Sequence, residues 1–189
     1  MSKVWMLLVV VLGLTGCAFN KQNVTLQPML NVASSSEGAG KTVWLRVVDD
    51  RPSTSLGHRG GAGGAAAEIT TSQDMEVLVE ANIRDGLYKR GYNVVDDPSQ
   101  QRQLLVELRE LLYSTSTGFW TGGVEVNGAM KVVAKGPGGA YEKMYRSTNK
   151  QRVVIVPTAD TNAEWINATL SDLLAKLFDD PAVANTLSH

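Results

Sequence analysis

The stretch VEVNGAMKVVAKGPGG, residues 124–139, decides the fold because its even-numbered positions are apolar or glycine up to the turn that ends it. This alternation from Val124 to Ala134 is typical of a β-strand with one buried face. The glycines and proline at 136–139 then predict a tight turn. Residues 140–156 predict a returning strand that carries three side chains on one face, Tyr141, Lys143 and Tyr145. The segment therefore indicates an antiparallel hairpin.

Residues 103–113, QLLVELRELLY, precede this hairpin and fit two structures. A helix would bury the leucines that lie three or four positions apart, Leu104, Leu105, Leu108, Leu111 and Leu112. A strand would instead bury alternate residues, Leu104, Val106 and Leu108. The serine and threonine residues at 114–117 favour the strand. With the hairpin, this strand predicts an antiparallel meander of three strands.

Two amphipathic helices are predicted on either side of the meander. The first runs from about Gln73 to Arg90 after Ser72 as its cap, with a buried stripe of Met75, Val79, Ile83 and Leu87. The second follows a capping box that Thr161 and Glu164 form. Its buried stripe consists of Ile166, Leu170, Leu173, Leu174 and Leu177.

Two further strands, over residues 42–50 and 92–95, complete the element order β-α-β-β-β-β-α. This order predicts an α+β fold. We expect an antiparallel sheet of about four to five strands with two main helices packed on one face.

The N-terminus carries the pattern of an export signal. A positively charged start at Lys3 precedes an uncharged apolar run over residues 4–14. This run is shorter than the roughly 20 residues that span a bilayer. Leu14, Thr15, Gly16 and Cys17 follow, and they resemble the lipobox of bacterial lipoproteins. In a lipobox the small residues admit the chain to the signal peptidase, and the cysteine thiol accepts a diacylglycerol.

This resemblance divides the chain into three regions. Residues 1–16 are a predicted lipoprotein signal peptide, 17–41 the lipidated cysteine and a flexible tether, and 42–189 a periplasmic α+β domain. Cleavage before Cys17 frees an amine for a further acyl chain such as palmitate, so the protein is expected to bind a membrane through its N-terminal acyl chains. Ala18, and not an aspartate, follows Cys17. This implies an outer-membrane location, lipid-anchored and facing the periplasm.

Four features follow one another along the chain: the lipobox, the strand end VVDDRP at 47–52 with Leu56-Gly57 after it, the helix end Arg90-Gly91-Tyr92, and a long C-terminal helix that ends in Asp179-Asp180. In this order they resemble the YajG family of Gram-negative outer-membrane lipoproteins. The resemblance covers residues 42–181. It implies periplasmic exposure and an outer-membrane anchor, and it implies no enzymatic activity and no catalytic residues.

Composition excludes several classes of function. A formal net charge of −1 without a basic run argues against nucleic-acid binding. Gly40-Lys41-Thr42 imitates the end of a P-loop but precedes a predicted strand where a nucleotide site needs a helix, so we expect no nucleotide. One cysteine and two histidines cannot supply a multi-cysteine or histidine-rich metal site, so we expect no metal and no cofactor.

Two clusters are candidate sites. Asp49, Asp50, Arg51 and His58 form a polar group from the first strand end into the glycine-rich loop over 51–68, where they could hold a ligand or cation. The alternative is a turn in which Arg51 pairs with a neighbouring carboxylate. Phe119 and Trp120 lie between glycines at a predicted hairpin tip, where they either contact a partner or fold back on the sheet.

The sequence therefore predicts a non-enzymatic binding or accessory module of the cell envelope, with an envelope protein as its expected partner. The alternative is a periplasmic small-ligand or metal-binding protein, or an enzyme, that uses the Asp49–Gly60 loop.

Overall fold

The computed structural model describes residues 21–60, 67–117 and 122–189. The strands are β1 Gln22–Asn23, β2 Thr42–Asp49, β3 Gly57–Arg59, β4 Ala67–Thr70, β5 Asn93–Val95, β6 Gln103–Thr117, β7 Gly122–Gly136 and β8 Gly139–Val153. The helices are α1 Met75–Lys89, α2 Ala159–Phe178 and α3 Pro181–Ser188.

The α+β class is confirmed, but the sheet has more strands than the four to five predicted, and it is mixed where a purely antiparallel sheet was predicted. Within the described residues the sheet has eight strands, in the order β1-β4-β3-β6-β2-β5, with β7 and β8 continuing from the other edge of β6. Four of its pairs are parallel, namely β1–β4, β2–β5, β2–β6 and β3–β6. The predicted order omitted β1, β3, β4 and α3. The three strands are two to four residues long, and so short a strand has no readable periodicity.

The predicted meander is confirmed. β6, β7 and β8 are each 15 residues long and pair antiparallel along their length. Residues 103–113 are therefore strand and not helix. β8 ends at Val153, three residues before the predicted end.

A β-bulge in β6 explains why this strand imitates a helix. Leu108 pairs with Met130 and Glu110 pairs with Ala129, so Arg109 is the extra residue. The extra residue changes the parity of the buried positions from Leu104, Val106 and Leu108 before the bulge to Leu111 and Tyr113 after it. The spacing of three between Leu108 and Leu111 is therefore the signature of the bulge.

The helices pack on one face of the sheet. Their apolar stripes and the inward residues of β2, β6 and β7 form a single buried cluster. The opposite face carries polar side chains that pair across strands, such as Lys131 with Glu142 and Lys150 with Glu125. No helix within the described ranges is long and apolar enough to cross a membrane.

Both long helices begin at caps other than those predicted. The Asp74 carboxylate caps α1, because it accepts hydrogen bonds from the amides of Glu76 and Val77 at 2.9 and 3.2 Å. Thr158 caps α2 and accepts from the Thr161 amide at 3.2 Å, so α2 begins before the predicted capping box. Asp is as good a cap as Ser, and Thr158 and Thr161 are equally good, so the sequence did not distinguish them.

The stretch predicted as a tether lies against the domain from Lys21 onward. Val24 and Leu26 are buried, and the Gln73 side chain exchanges two hydrogen bonds with the Leu26 backbone. The amides of Ser35 and Gly38 donate to the carbonyls of Lys89 and Arg90 at 2.9 and 2.8 Å. These backbone bonds hold residues 35–38 on the C-terminal end of α1.

Asp180 joins the C-terminal helices to β8. One carboxylate oxygen of Asp180 accepts three hydrogen bonds, from Tyr141 Oη at 3.1 Å, Lys143 Nζ at 2.6 Å and Tyr145 Oη at 2.8 Å. The other oxygen caps α3 by accepting from the Ala182 amide at 2.9 Å. Burial alone would raise the pKa of Asp180, but the four hydrogen bonds outweigh it and lower the pKa to about 2.

We expect Asp180→Asn to lower the free energy of unfolding at pH 7 by about 2 kcal/mol, because asparagine keeps the helix cap but loses the negative charge that three donors share. The folded-state pKa of about 2 lies below the ordinary 3.8, so ionised Asp180 stabilises the fold above about pH 4. This contribution is lost as the pH falls toward 2. Denaturant unfolding at pH 7 and at pH 3 measures both effects.

Asp179→Asn is the matched control, since Asp179 carries the same charge one residue earlier and is exposed. It should change the unfolding free energy little at either pH. Equal stability of Asp180→Asn and the wild type at pH 7 would contradict the stabilising role of the charged Asp180 carboxylate between β8 and α3.

Candidate ligand-binding site

β6 is longer than β2, so β2 covers only the first half of one edge of β6. β3 pairs with the second half of that edge. β2 pairs with β6 as far as Leu108, and β3 then pairs at Gly57 with Tyr113. Gly57 has a φ of +127°, and a Cβ there would lie 1.9 Å from the Tyr113 carbonyl oxygen. Only glycine allows this approach. The close contact brings Arg59 and Gly60 beside the second half of β6.

A cavity of about 290 Å³ lies at this end of the sheet. Tyr113 of β6 and Val124 of β7 line it, and Arg59 and Gly60 line it from β3. Residues 153–157, which connect β8 to α2, form an aliphatic wall. The volume of the cavity is at the small end of the range for ligand sites.

The Tyr113 hydroxyl is the unusual group in this cavity. The residue is 1% exposed, and Oη has no hydrogen-bond partner among the described residues. Burial raises the pKa of Tyr113 to about 12, although the positive charge of Arg59 acts in the opposite direction. The phenol is therefore protonated at neutral pH, and its O–H can donate to a ligand.

Arg59 supplies positive charge to the same cavity. It is 6% exposed, because its position in β3 faces inward while the neighbouring His58 is exposed. Thr115 Oγ1 donates to the Gly60 carbonyl at 2.6 Å and fixes the end of β3 against β6. The Tyr113 phenol O–H lies in a cavity lined by further hydroxyls at Thr115 and Ser116 and by aliphatic side chains. Such a lining suits a molecule with a hydrogen-bond-accepting group and an apolar body.

The residues of the predicted ligand loop at the end of β2 do not form a ligand site with the cavity. Arg51 makes two hydrogen bonds of 2.7 Å to the Asp49 carboxylate, as the turn interpretation predicts. Asp50 forms an ion pair with Arg109 at the bulge. None of these residues lines the cavity. The first strand end therefore carries a turn whose charges are paired with each other or with β6.

His58 is not part of this turn, because it belongs to β3 and pairs with β4. It is exposed on β3, opposite Glu68 of β4, so the predicted loop over 51–68 contains parts of two strands. In the described parts of the chain no group of three or more His, Cys, Asp and Glu side chains could hold a metal ion. Lys41-Thr42 leads into β2, as the sequence predicts, and not into a helix.

The remaining predicted site residues lie outside the described residues. These are Leu14, Thr15, Gly16 and Cys17 of the lipobox, and the aromatic pair Phe119 and Trp120. The strands on either side of the aromatic pair do form the predicted hairpin, because Thr117 pairs with Gly122.

Sequence reasoning missed Tyr113 as a site residue, whereas Arg59 lies within the Asp49–Gly60 loop that it named. The available signal was the spacing of three between Leu108 and Leu111, which marks the bulge. With that bulge, Tyr113 changes from the solvent face to the core face.

Solved structures with a similar fold include an uncharacterized protein with a TM-score of 0.51 and 13% identity, where the match covers 84% of this chain and 97% of that one. The protein XCC0632 from Xanthomonas campestris, of the DUF330 family, has a TM-score of 0.56 and 9% identity, with 87% and 95% covered. A minor lipoprotein from Acinetobacter baumannii has a TM-score of 0.47 and 8% identity, with 77% and 91% covered. At these identities the first two likenesses show a shared fold.

No curated protein matches the chain. A family model described as uncharacterized lipoprotein, Lipoprotein_16, matches residues 28–188 and so includes the described domain almost completely. The resemblance to YajG lipoproteins is thereby confirmed, and the chain belongs to this family of YajG-type uncharacterized lipoproteins.

Proposed function

We propose that the protein is a non-enzymatic binding module, anchored to the outer membrane by acyl chains on Cys17 and facing the periplasm. Membership of a lipoprotein family and the lipobox resemblance over Leu14–Cys17 support the anchor. Ala18 after the cysteine supports the outer membrane over the inner membrane. Two or more acyl chains anchor a protein stably without a spanning helix.

The cavity beside Tyr113 and Arg59 is the proposed binding site. The observation that carries this proposal is Tyr113, which lines the cavity and whose buried hydroxyl has no hydrogen-bond partner among the described residues. A buried donor that makes no hydrogen bond costs about 1–3 kcal/mol of stability. A ligand that accepts this hydrogen bond recovers that cost, and the wall over 153–157 accommodates its apolar part.

The chemistry of the cavity favours binding over catalysis. Its described lining residues include the hydroxyls of Tyr113, Thr115 and Ser116, but no histidine, carboxylate or lysine that could act as a general base beside them. The alternative site at Asp49, Asp50 and Arg51 has less support, because none of the three lines the cavity, Arg51 pairs with Asp49 and Asp50 pairs with Arg109. The ligand class that fits best is a small amphipathic molecule with a strong hydrogen-bond acceptor for the Tyr113 O–H, such as a carboxylate or phosphate, and an aliphatic chain.

Cys17→Ser should block lipid attachment, because the variant lacks the thiol that accepts the diacylglycerol, and radiolabelled palmitate should be absent from it. Globomycin should block only the cleavage before Cys17, so the treated wild type should accumulate as a labelled, unprocessed precursor. Fractionation of the envelope should show that the variant no longer sediments with the outer membrane as a processed lipoprotein.

Ala18→Asp is the matched variant, since it leaves Cys17 in place and should move the protein to the inner membrane. Palmitate incorporation by Cys17→Ser would overturn the anchor. Retention of Ala18→Asp in the outer membrane would overturn only the sorting argument.

Tyr113→Phe should weaken the binding of decanoate about tenfold, because a hydrogen bond to a charged acceptor contributes roughly 1.5–3 kcal/mol. The same substitution should leave the free energy of unfolding of the unbound protein unchanged or raise it, since it removes an unpartnered buried hydroxyl. Titration calorimetry below the micelle threshold measures the affinity, and denaturant unfolding measures the stability.

Tyr88→Phe, on the exposed side of α1, is the control and should change neither quantity. Decanol has the same chain without the charge and should bind more weakly than decanoate. Equal decanoate affinity of Tyr113→Phe and the wild type, or a loss of stability without ligand, would contradict the proposed role of this hydroxyl.

A further inference from the structure

The start of the described chain is fixed beside the first turn of α2. The Asn162 side-chain amide donates to Gln22 Oε1 at 2.7 Å, and Asn162 is fully buried. Lys21 forms an ion pair of 2.9 Å with Glu68 on β4. These contacts determine where residues 21 and 22 lie, and they place them at the end of the domain where α2 begins.

Cys17 is four residues before Lys21. A fully extended chain spans at most about 3.6 Å per residue, so this segment reaches about 14 Å. In the proposed function, on which this placement rests, Cys17 carries the acyl chains and lies at the membrane surface. The end of the domain that holds Gln22 and Asn162 must then lie within about 14 Å of that surface.

An exposed aliphatic segment lies at the same end. Val154, Ile155 and Val156 are 82%, 80% and 57% exposed, and only Pro157 separates them from Thr158, the cap of α2. Val156 is separated from Asn162 by two residues of extended chain and about one helical turn, so the two lie within about 15 Å. Soluble domains seldom leave three consecutive β-branched aliphatic residues in water without a partner for them.

We infer that Val154–Val156 is a second membrane contact, which inserts into the lipid headgroup region beside the acyl anchor. The other large hydrophobic side chains that are exposed lie singly along the chain, as at Met29, Val77 and Tyr88. The charges next to the segment have both signs, Arg152 before it and Asp160 after it, and both are exposed. Attraction to anionic lipid therefore cannot carry the contact, and burial of aliphatic surface does so.

A fluorophore at position 155 tests this inference. Lipidation converts the thiol of Cys17, the single cysteine, into a thioether, so Ile155→Cys provides one reactive thiol on the mature lipidated protein. This variant is labelled with the environment-sensitive dye NBD and reconstituted into vesicles of phosphatidylethanolamine and phosphatidylglycerol. We expect a blue shift and a rise of its emission, strong quenching by a spin-labelled lipid, and little change on addition of salt.

Ala140→Cys provides the matched control on the same strand pair. Ala140 is exposed and pairs with Lys135 at the far end of β8, about 45 Å from Val153 at the strand rise of a sheet. Its label should keep the emission of an aqueous environment on the same vesicles. Because residue 155 is exposed, its substitution should not alter the unfolding temperature, which serves as the check on folding.

Three outcomes would overturn the inference. The first is equal emission from the labels at 155 and 140 on protein that floats with the vesicles, because it would show that residue 155 stays in water. Shielding of the label at 155 without quenching by the spin-labelled lipid would assign the segment to a protein surface, such as a second copy of the chain. Failure of the mature protein to float would overturn the anchor of the proposed function, and the inference with it.

Discussion

The structure depends on a continuous buried face along β6. This strand pairs with β7 over its whole length, and its other edge is shared by β2 and then by β3. The extra residue Arg109 keeps both halves of the face directed to the core, since a change of one residue turns every later side chain to the opposite side. Arg109 also pairs with Asp50, where β2 ends. The chain leaves the sheet there and returns as β3, and the cavity forms between β3 and the end of the meander.

The inward face of β8 presents a second requirement, because it carries polar groups beneath the helices. The Tyr145 hydroxyl is buried and needs a hydrogen-bond partner, while Tyr141 is half-buried and Lys143 reaches solvent beside it. Asp180 supplies one carboxylate oxygen to all three and holds the start of α3 with the other. The low pKa of Asp180 reflects this arrangement, since the donated hydrogen bonds outweigh the cost of burying the charge. The Asp-Asp-Pro sequence thus joins the C-terminal helices to the sheet.

The alternation in β7 is sufficient to predict the meander, because each inward position is apolar or glycine. The same rule is ambiguous for β6, where the bulge replaces a spacing of two by a spacing of three. It also conceals the site, since alternation counted from Leu104 assigns Tyr113 to the solvent face. β1, β3 and β4 are determined by pairing with residues distant in the sequence, which a local pattern does not contain. Arg59 belongs to one of these strands, so its burial could not be predicted before the pairing was known.

The length of chain before Lys21 determines how the domain can be oriented. A segment that reaches about 14 Å cannot reverse a sheet whose long strands extend about 45 Å. With Cys17 in the membrane, the end that holds Val154–Val156 and the cavity faces the lipid, and the β7–β8 turn with α3 faces away from it. The cavity wall over 153–157 and the proposed membrane contact are the same segment. A bilayer presents molecules with a hydrogen-bond-accepting head and an aliphatic chain at that surface, and these are the two features that the proposed site, with Tyr113 and the aliphatic wall, would bind.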